Sequence, residues 1–252
     1  MADAPKPART PPKTRAKAPP SPPPALSGRA LARRVLRWGT RGALGIVAFY
    51  AALIVLFSVL PPPGNLYQWS ESWRLGGIER EWVAWDEIAP AMGRAAVAAE
   101  DANFCLHWGF DIAAIREAVE AGGARGASTI SQQVSKNVFL WQGRSYIRKA
   151  LEAVLTPAIE LVWSKRRILE MYLNVAEFDE GVFGVQAAAR HYFGVDARDL
   201  SEVQAARLAA VLPDPKGRNA AKPSDFVRKR SRSILAGART IAADGRAACF
   251  QD

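Results

Sequence analysis

From Gly42 to Leu60 the chain runs for 19 residues without a charged side chain, and its most polar members are Tyr50 and Ser58. As an α-helix rising 1.5 Å per residue this is about 28 Å, close to the hydrocarbon thickness of a bilayer. A buried core helix of this composition would need apolar partners on every face. A cleaved signal peptide would have a shorter apolar region and a small-x-small site, and Ser58-Val-Leu60-Pro-Pro-Pro is a poor one. Arg29, Arg33, Arg34, Arg37 and Arg41 precede the run, and Pro61-Pro-Pro-Gly64 follows it. Basic flanks stay on the cytoplasmic side, so residues 42–60 read as a single-pass signal anchor, N-terminus cytoplasmic, with everything after Leu60 exported. Trp38 and Trp69 stand near its two ends, where indole rings favour the membrane interface.

The formal net charge of +10 has the same address. Residues 1–41 hold ten basic side chains and one acid, Asp3, whereas the rest of the chain holds 24 basic and 23 acidic residues. A wholly basic nucleic-acid-binding domain is therefore not indicated, and nucleic acid is not expected as a partner of the exported part. Disorder throughout is excluded by a 49% hydrophobic composition with eight Trp. Two Cys and two His are too few for a disulfide scaffold or a Cys-based zinc site, and leave little for a His-built one. Residues 1–28 contain nine of the 17 prolines, so residues 1–41 read as a disordered, basic, Pro-rich cytoplasmic tail.

Residues 61–252 suffice for one domain, read as a juxtamembrane linker (61–80) followed by a catalytic domain (81–252). Apolar spacing there is helical almost everywhere. Ile147, Leu151, Val154, Ala158 and Leu161 step by three and four through 145–163, with Pro157 as a kink. A helix follows Ser164 through Ile168, Met171 and Tyr172. Ser201 caps one running to Val211, and Ser224 or Asp225 caps the last, to about Ala243. The apolar residues of Trp82–Trp85 read as a minor strand. The fold class is mostly α.

Three runs carry candidate chemistry. In Glu100-Asp-Ala-Asn-Phe-Cys-Leu-His-Trp-Gly-Phe-Asp111, Glu100 ends an Ala-rich helical run, where burial would raise its pKa toward general acid–base work. A surface acid paired with Arg94 or Arg116 is the plainer alternative. In Gly126-Ala-Ser-Thr-Ile-Ser-Gln-Gln-Val-Ser-Lys-Asn137, Thr129 and Gln132 have capping-box spacing, so a helix starts near Ile130. Its polar face, with Gln132 and Lys136 four apart and Gln133 and Asn137 four apart, suits sugar hydroxyls and a phosphate, though a solvated face has similar composition. In Arg144-Ser-Tyr-Ile-Arg-Lys-Ala-Leu-Glu152, Arg148, Lys149 and Glu152 form either ordinary helix ion pairs or a cationic cluster beside a second carboxylate.

In order, these runs, then Ser164-Lys-x-x-Ile-Leu-Glu-x-Tyr-Leu-Asn174, Gly184–Gly194 and Leu208–Pro213, resemble the peptidoglycan glycosyltransferases of family 51, of the monofunctional kind. They cover about residues 80–215. No S-x-x-K occurs anywhere, so no serine transpeptidase is expected. The resemblance implies a lysozyme-like helical domain that polymerises lipid II into β-1,4 glycan strands at the outer face of the bacterial inner membrane, by an inverting reaction. It implies Glu100 as base and Glu152 as second acid. Lys136, Arg144, Arg148 and Lys149 would meet the diphosphate, Lys136 and Arg144 foremost. Ser128, Thr129, Gln132, Gln133 and Asn137 would position sugars and the motif's backbone. Asp101 and His107 read as structural.

No metal site is assigned and no cofactor is required, although a divalent cation (Mg2+ or Mn2+) at Glu152 is left open. Lipid II, the nascent strand and the inner membrane are the implied partners, with cell-wall synthesis or division proteins a further option. In relatives a mobile, membrane-touching lobe lies between the first two motifs. Here that stretch is only Ile112–Arg125 and, with Glu117 and Glu120, not strongly apolar. A lytic muramidase and a non-catalytic lipid II-binding scaffold are the competing readings. The cation cluster argues against the first and the intact carboxylate pair against the second. Were Cys105 to pair with Cys249, the bond would tie the first motif to the C-terminus.

Overall fold

The computed structural model describes residues 28–122, 126 and 128–251; the expected tail over 1–27 and Arg125 lie outside them. Helix α1 spans Gly28–Phe57, so residues 28–41 are helical rather than part of a disordered tail. The reason is local: Ala, Leu and Arg, all good helix formers, dominate that stretch. Leu31–Phe57 is long and apolar enough to cross a bilayer, and its side chains are almost all exposed, which fits a single-pass anchor.

The chain divides into two compact units, residues 1–49 and 50–252. The second thus begins inside α1, and residues 61–80 belong to it. Tyr50 donates to the Phe139 carbonyl at 3.4 Å. Ile54 is buried, and its carbonyl accepts from Trp163 Nε1 at 2.7 Å. Arg167 closes the end of α1, donating to the carbonyls of Phe57 and Leu60 at 2.7–3.1 Å. A cation there meets both unsatisfied carbonyls and the negative end of the helix dipole.

The remaining elements are α2 (Leu66–Leu75), β1 (Glu79–Arg80), α3 (Pro90–Glu100), α4 (Ile112–Glu120), α5 (Ile130–Phe139), α6 (Tyr146–Val162), α7 (Lys165–Val175), β2 (Glu177–Asp179), β3 (Val182–Phe183), α8 (Val185–Phe193), α9 (Glu202–Val211), α10 (Asp225–Ala243) and α11 (Ala248–Gln251). The expected caps at Thr129 and Ser201 are made as reciprocal capping boxes with Gln132 and Gln204, Ser224 rather than Asp225 caps α10, and Ser164 caps α7. The core has α7 at its centre: Ile168, Leu169, Met171, Tyr172 and Leu173 are essentially inaccessible. Helix α5 packs on α6 and α7, and α3, α9 and α10 pack on one another.

A small sheet in the order β1-β3-β2 closes one side, β1 parallel and β2 antiparallel to β3. Trp82–Trp85 is not the strand; Glu79–Arg80 is. Val83 finds its backbone partner in a side chain instead, since Asn174 accepts from its N–H at 2.9 Å and donates to its carbonyl at 3.0 Å.

Helix α6 turns a mixed face inward, with Leu155 and Ile159 buried beside its polar residues. Glu152, Thr156 and Glu160 are buried, while Ile147, Val154 and Leu161 are exposed, the last two at 68% and 73%. The periodicity located the helix, but the apolar stripe does not face the core. The inward face is satisfied by hydrogen bonds: Thr156 Oγ1 donates to the Glu152 carbonyl at 2.7 Å, and Glu160 accepts from Ser131 Oγ at 2.5 Å and Lys165 Nζ at 2.8 Å.

Cys105 and Cys249 form a disulfide, 5.6 Å between Cα atoms and 144 residues apart in sequence. It fastens the turn after Glu100 to α11. Closing so long a loop restricts the unfolded chain, so Cys249→Ser should cost about 2–4 kcal/mol of stability. Thermal unfolding with and without a thiol reductant checks this. An unchanged midpoint would show that the bond contributes nothing.

Candidate active site

Glu100 is the last residue of α3 and Asp101 follows it. Asp101 Oδ2 accepts from the N–H of Ile130, the first residue of α5, at 3.0 Å, and its Oδ1 pairs with His107 Nε2 at 2.9 Å. One carboxylate thus joins the end of α3 to the start of α5, a position where a negative charge also meets the positive end of the helix dipole. The rest of the first motif supports that junction. Asn103 donates to Asp111 at 2.8 Å, and Asp111 caps α4 through the Ala114 N–H at 2.9 Å. Phe104 is fully buried. Gly109 has φ +82°, and a Cβ there would stand 2.6 Å from the Thr156 methyl, so the close passage of this loop over α6 requires glycine. Asp101 and His107, which the sequence reads as structural, spend their side chains on this junction.

The junction sets Gln133 Nε2 2.9 Å from Glu100 Oε2. Burial pushes the Glu100 carboxyl above its ordinary range. The Gln133 hydrogen bond and the charges of Arg230 and Arg218 act in the opposite sense, and Asp101 adds to the rise. Arg230, from α10, also donates to the Ala99 carbonyl at 3.2 Å. Neither arginine stands out in the sequence, because no local pattern shows that α10 returns to α3.

Three adjoining clefts of about 160, 240 and 230 Å³ share lining residues. Glu100, Asp101 and Ser128 line the first; Ser128, Gln132, Gln133, Lys136, Arg148, Lys149 and Glu152 the second; Gln133, Lys136, Asn137 and Tyr172 are among those of the third. Lys136 has no hydrogen-bond or ion-pair partner among the described residues, and burial pushes its pKa down while Glu152 opposes that shift. Glu152 is only 4% exposed and fully engaged, with Arg148 Nη1 at 2.9 Å and Lys149 Nζ at 2.5 Å.

Thr129 and Gln132 are buried: Thr129 Oγ1 donates to the Gly109 carbonyl and Gln132 Oε1 accepts from the Thr129 N–H in the cap of α5, while both residues also line the clefts. Arg144 is exposed in the loop before α6 and has no ion-pair partner among the described residues. As for a cation, no group of three His, Cys, Asp or Glu side chains converges among the described residues, and both Glu152 oxygens face cations. This donor set does not fit a resident divalent ion.

The raised Glu100 pKa has a consequence for stability. The folded state binds this proton more tightly than the unfolded chain, so the group favours folding least when ionised, and stability falls as pH rises through the unfolded and then the folded pKa. Glu100→Gln is accordingly expected to raise the unfolding midpoint at neutral pH, with the gain vanishing below about pH 4, where the unfolded carboxylate is itself protonated. A gain that grows in acid would contradict the assigned direction.

A transglycosylase family model matches residues 70–239. The biosynthetic peptidoglycan transglycosylase of Jannaschia sp. (strain CCS1) is 60% identical over 222 residues, covering 88% of this chain and 93% of its own. Proteins of the same name from Pseudomonas fluorescens (strain SBW25) and Cronobacter sakazakii (strain ATCC BAA-894) are 49% and 48% identical, over 80% and 84% of this chain and 90% and 92% of their own. The family model's range includes Glu100, Lys136 and Glu152, and the chain belongs to the transglycosylase family.

Proposed function

We propose that the chain polymerises lipid II into β-1,4-linked glycan with inversion and release of undecaprenyl diphosphate, working at the outer face of the inner membrane. The observation that carries this reading is a desolvated carboxylate, Glu100, in a cleft adjoining that of a half-buried ammonium, Lys136, which has no partner among the described residues. Glu100 takes the proton from the acceptor GlcNAc 4-hydroxyl. That oxygen attacks the anomeric carbon of the donor MurNAc from the face opposite its diphosphate. The bond from C1 to the phosphate oxygen breaks, and its electron pair leaves with the diphosphate. A base near its operating pH and a cation at the developing charge are the two contributions such a step needs. Because a diphosphate leaves readily, no strong acid is required opposite the base.

Lys136, half-buried and without an ion-pair partner among the described residues, is placed to meet the diphosphate. Glu152 holds Arg148 and Lys149 in place, which supports an orienting role for it rather than proton donation. Ser128, Gln133 and Asn137 line the groove and position sugars. Arg144 reaches substrate from the exposed rim.

Three features support the exported membrane location. The outward apolar face of α6 adjoins the end of α1 through Trp163 and Ile54, and a bilayer surface is the natural partner of such a face. Leu106, Trp108, Ile112 and Val119 add exposed apolar side chains around α4, the counterpart of the relatives' lobe. The disulfide belongs to an oxidising compartment. A donor held in the bilayer by its polyprenyl chain then meets a tethered enzyme in two dimensions.

Polymerisation of purified lipid II tests the reading. Glu100→Gln is expected to lower the rate about 10²–10⁴-fold, the usual contribution of a general base. Lys136→Ala should lower it about 10²–10³-fold, the size expected for one charge-stabilising donor. Activity at the unsubstituted rate in either variant would remove that residue from its role.

A further inference from the structure

Tyr67 and Asn65 precede the residues matched by the family model, in the segment joining the membrane helix to the catalytic domain, yet both line the third cleft together with Gln133, Lys136 and Asn137. Tyr67 is fixed from several sides. Its hydroxyl donates to Glu177 Oε2 at 2.7 Å, its ring meets Phe183 edge-on at 5.7 Å between centroids, and Lys216 Nζ stands 5.8 Å from its centroid. Burial, reinforced by Glu177, pushes the phenol pKa up to about 12, so it stays a neutral donor.

Helix α2 is tied to the same wall. Glu71 accepts from Arg74 at 2.5 Å and from Lys216 at 2.9 Å, and Arg74 also reaches Glu180 at 2.7 Å. Those hydrogen bonds, Arg74 first and Lys216 second, hold the Glu71 carboxyl at about 2. Being depressed, it contributes stability above the unfolded carboxylate range, lost only as pH falls toward that value. The cleft also offers amides (Gln133, Asn137, Gln142) and apolar surface (Val175, Leu212, Pro215).

We propose that Tyr67, supplied by the juxtamembrane helix, is a substrate-positioning residue of the groove, its clamped ring forming a platform for the apolar face or acetyl methyl of an N-acetylated sugar. The chemistry matches: amides and an ammonium serve hydroxyl and acetamide groups, and an aromatic face serves the C–H side of a pyranose. A ring locked before substrate arrives loses little freedom on binding. The role rests on the lipid II reading for its substrate. It adds that the anchoring segment builds part of the site.

The test uses the full chain in detergent micelles. Tyr67→Ala is expected to raise KM for lipid II about tenfold, equivalent to roughly 1.4 kcal/mol of lost contact, with kcat within about twofold. Tyr67→Phe keeps the ring and should restore most of the KM. A second arm measures binding of a soluble GlcNAc–MurNAc tetrasaccharide by saturation-transfer NMR, where Tyr67→Ala should weaken binding and Tyr67→Phe should not. Wild-type KM in Tyr67→Ala, or losses in both variants that merely follow a fall in unfolding midpoint, would overturn the proposal. If the unsubstituted protein failed to polymerise lipid II, the function above would fall. The tetrasaccharide arm would still decide Tyr67: weaker binding in Tyr67→Ala alone supports it, and equal binding in all three proteins overturns it.

Discussion

The site depends on the carboxylate of Asp101. It bonds the first N–H of α5 and His107 at once, so the end of α3 and the start of α5 cannot separate without leaving a buried charge unsatisfied. Breaking such a charge-assisted contact costs more than a neutral hydrogen bond does. Because Glu100 is the preceding residue and Gln133 lies one turn into α5, the same junction sets the distance between the Glu100 carboxylate and its amide partner. The polar underside of α5 continues the scheme through Ser131, Glu160 and Lys165, and Lys165 returns to the first motif at the His107 carbonyl, 2.7 Å away.

Charge in the groove is distributed unevenly. Arg148 and Lys149 share the single carboxylate of Glu152, which offsets one of their two positive charges. Lys136 alone is half-buried without a partner among the described residues, which makes it the group that gains most when an anion enters. Desolvation works on Glu100 in the complementary way, raising its proton affinity. A transglycosylase acting on a diphosphate donor needs this pairing of a proton acceptor with a cation held ready for developing charge.

Local signals were readable in the sequence because they are short-range. The caps at Thr129, Ser164, Ser201 and Ser224 depend on three-residue spacings and all form. The phase of α6 was not readable. A 3.6-residue period reports two unlike faces, and which one meets the core depends on what covers the other. The strand read over Trp82–Trp85 does not form, because Asn174, far along the chain, takes both backbone groups of Val83. Arg230 and Tyr67 carry no motif at all; the return of α10 to α3 brings Arg230 to the Ala99 carbonyl beside Glu100, and the tie of α2 to β2 through Glu177 brings Tyr67 to the third cleft. The Cys105–Cys249 bond likewise depends on a distance the chain alone does not reveal.

The central claim is that burial at the end of α3 turns Glu100 into a base suited to neutral pH. The pH dependence of kcat/KM for lipid II polymerisation tests it most directly. The account predicts an acidic limb above the ordinary carboxylate range of about 4.3, moving further up in Gln133→Leu, which removes the hydrogen bond that favours ionisation. A limb at the ordinary carboxylate value, unmoved in Gln133→Leu, would contradict it.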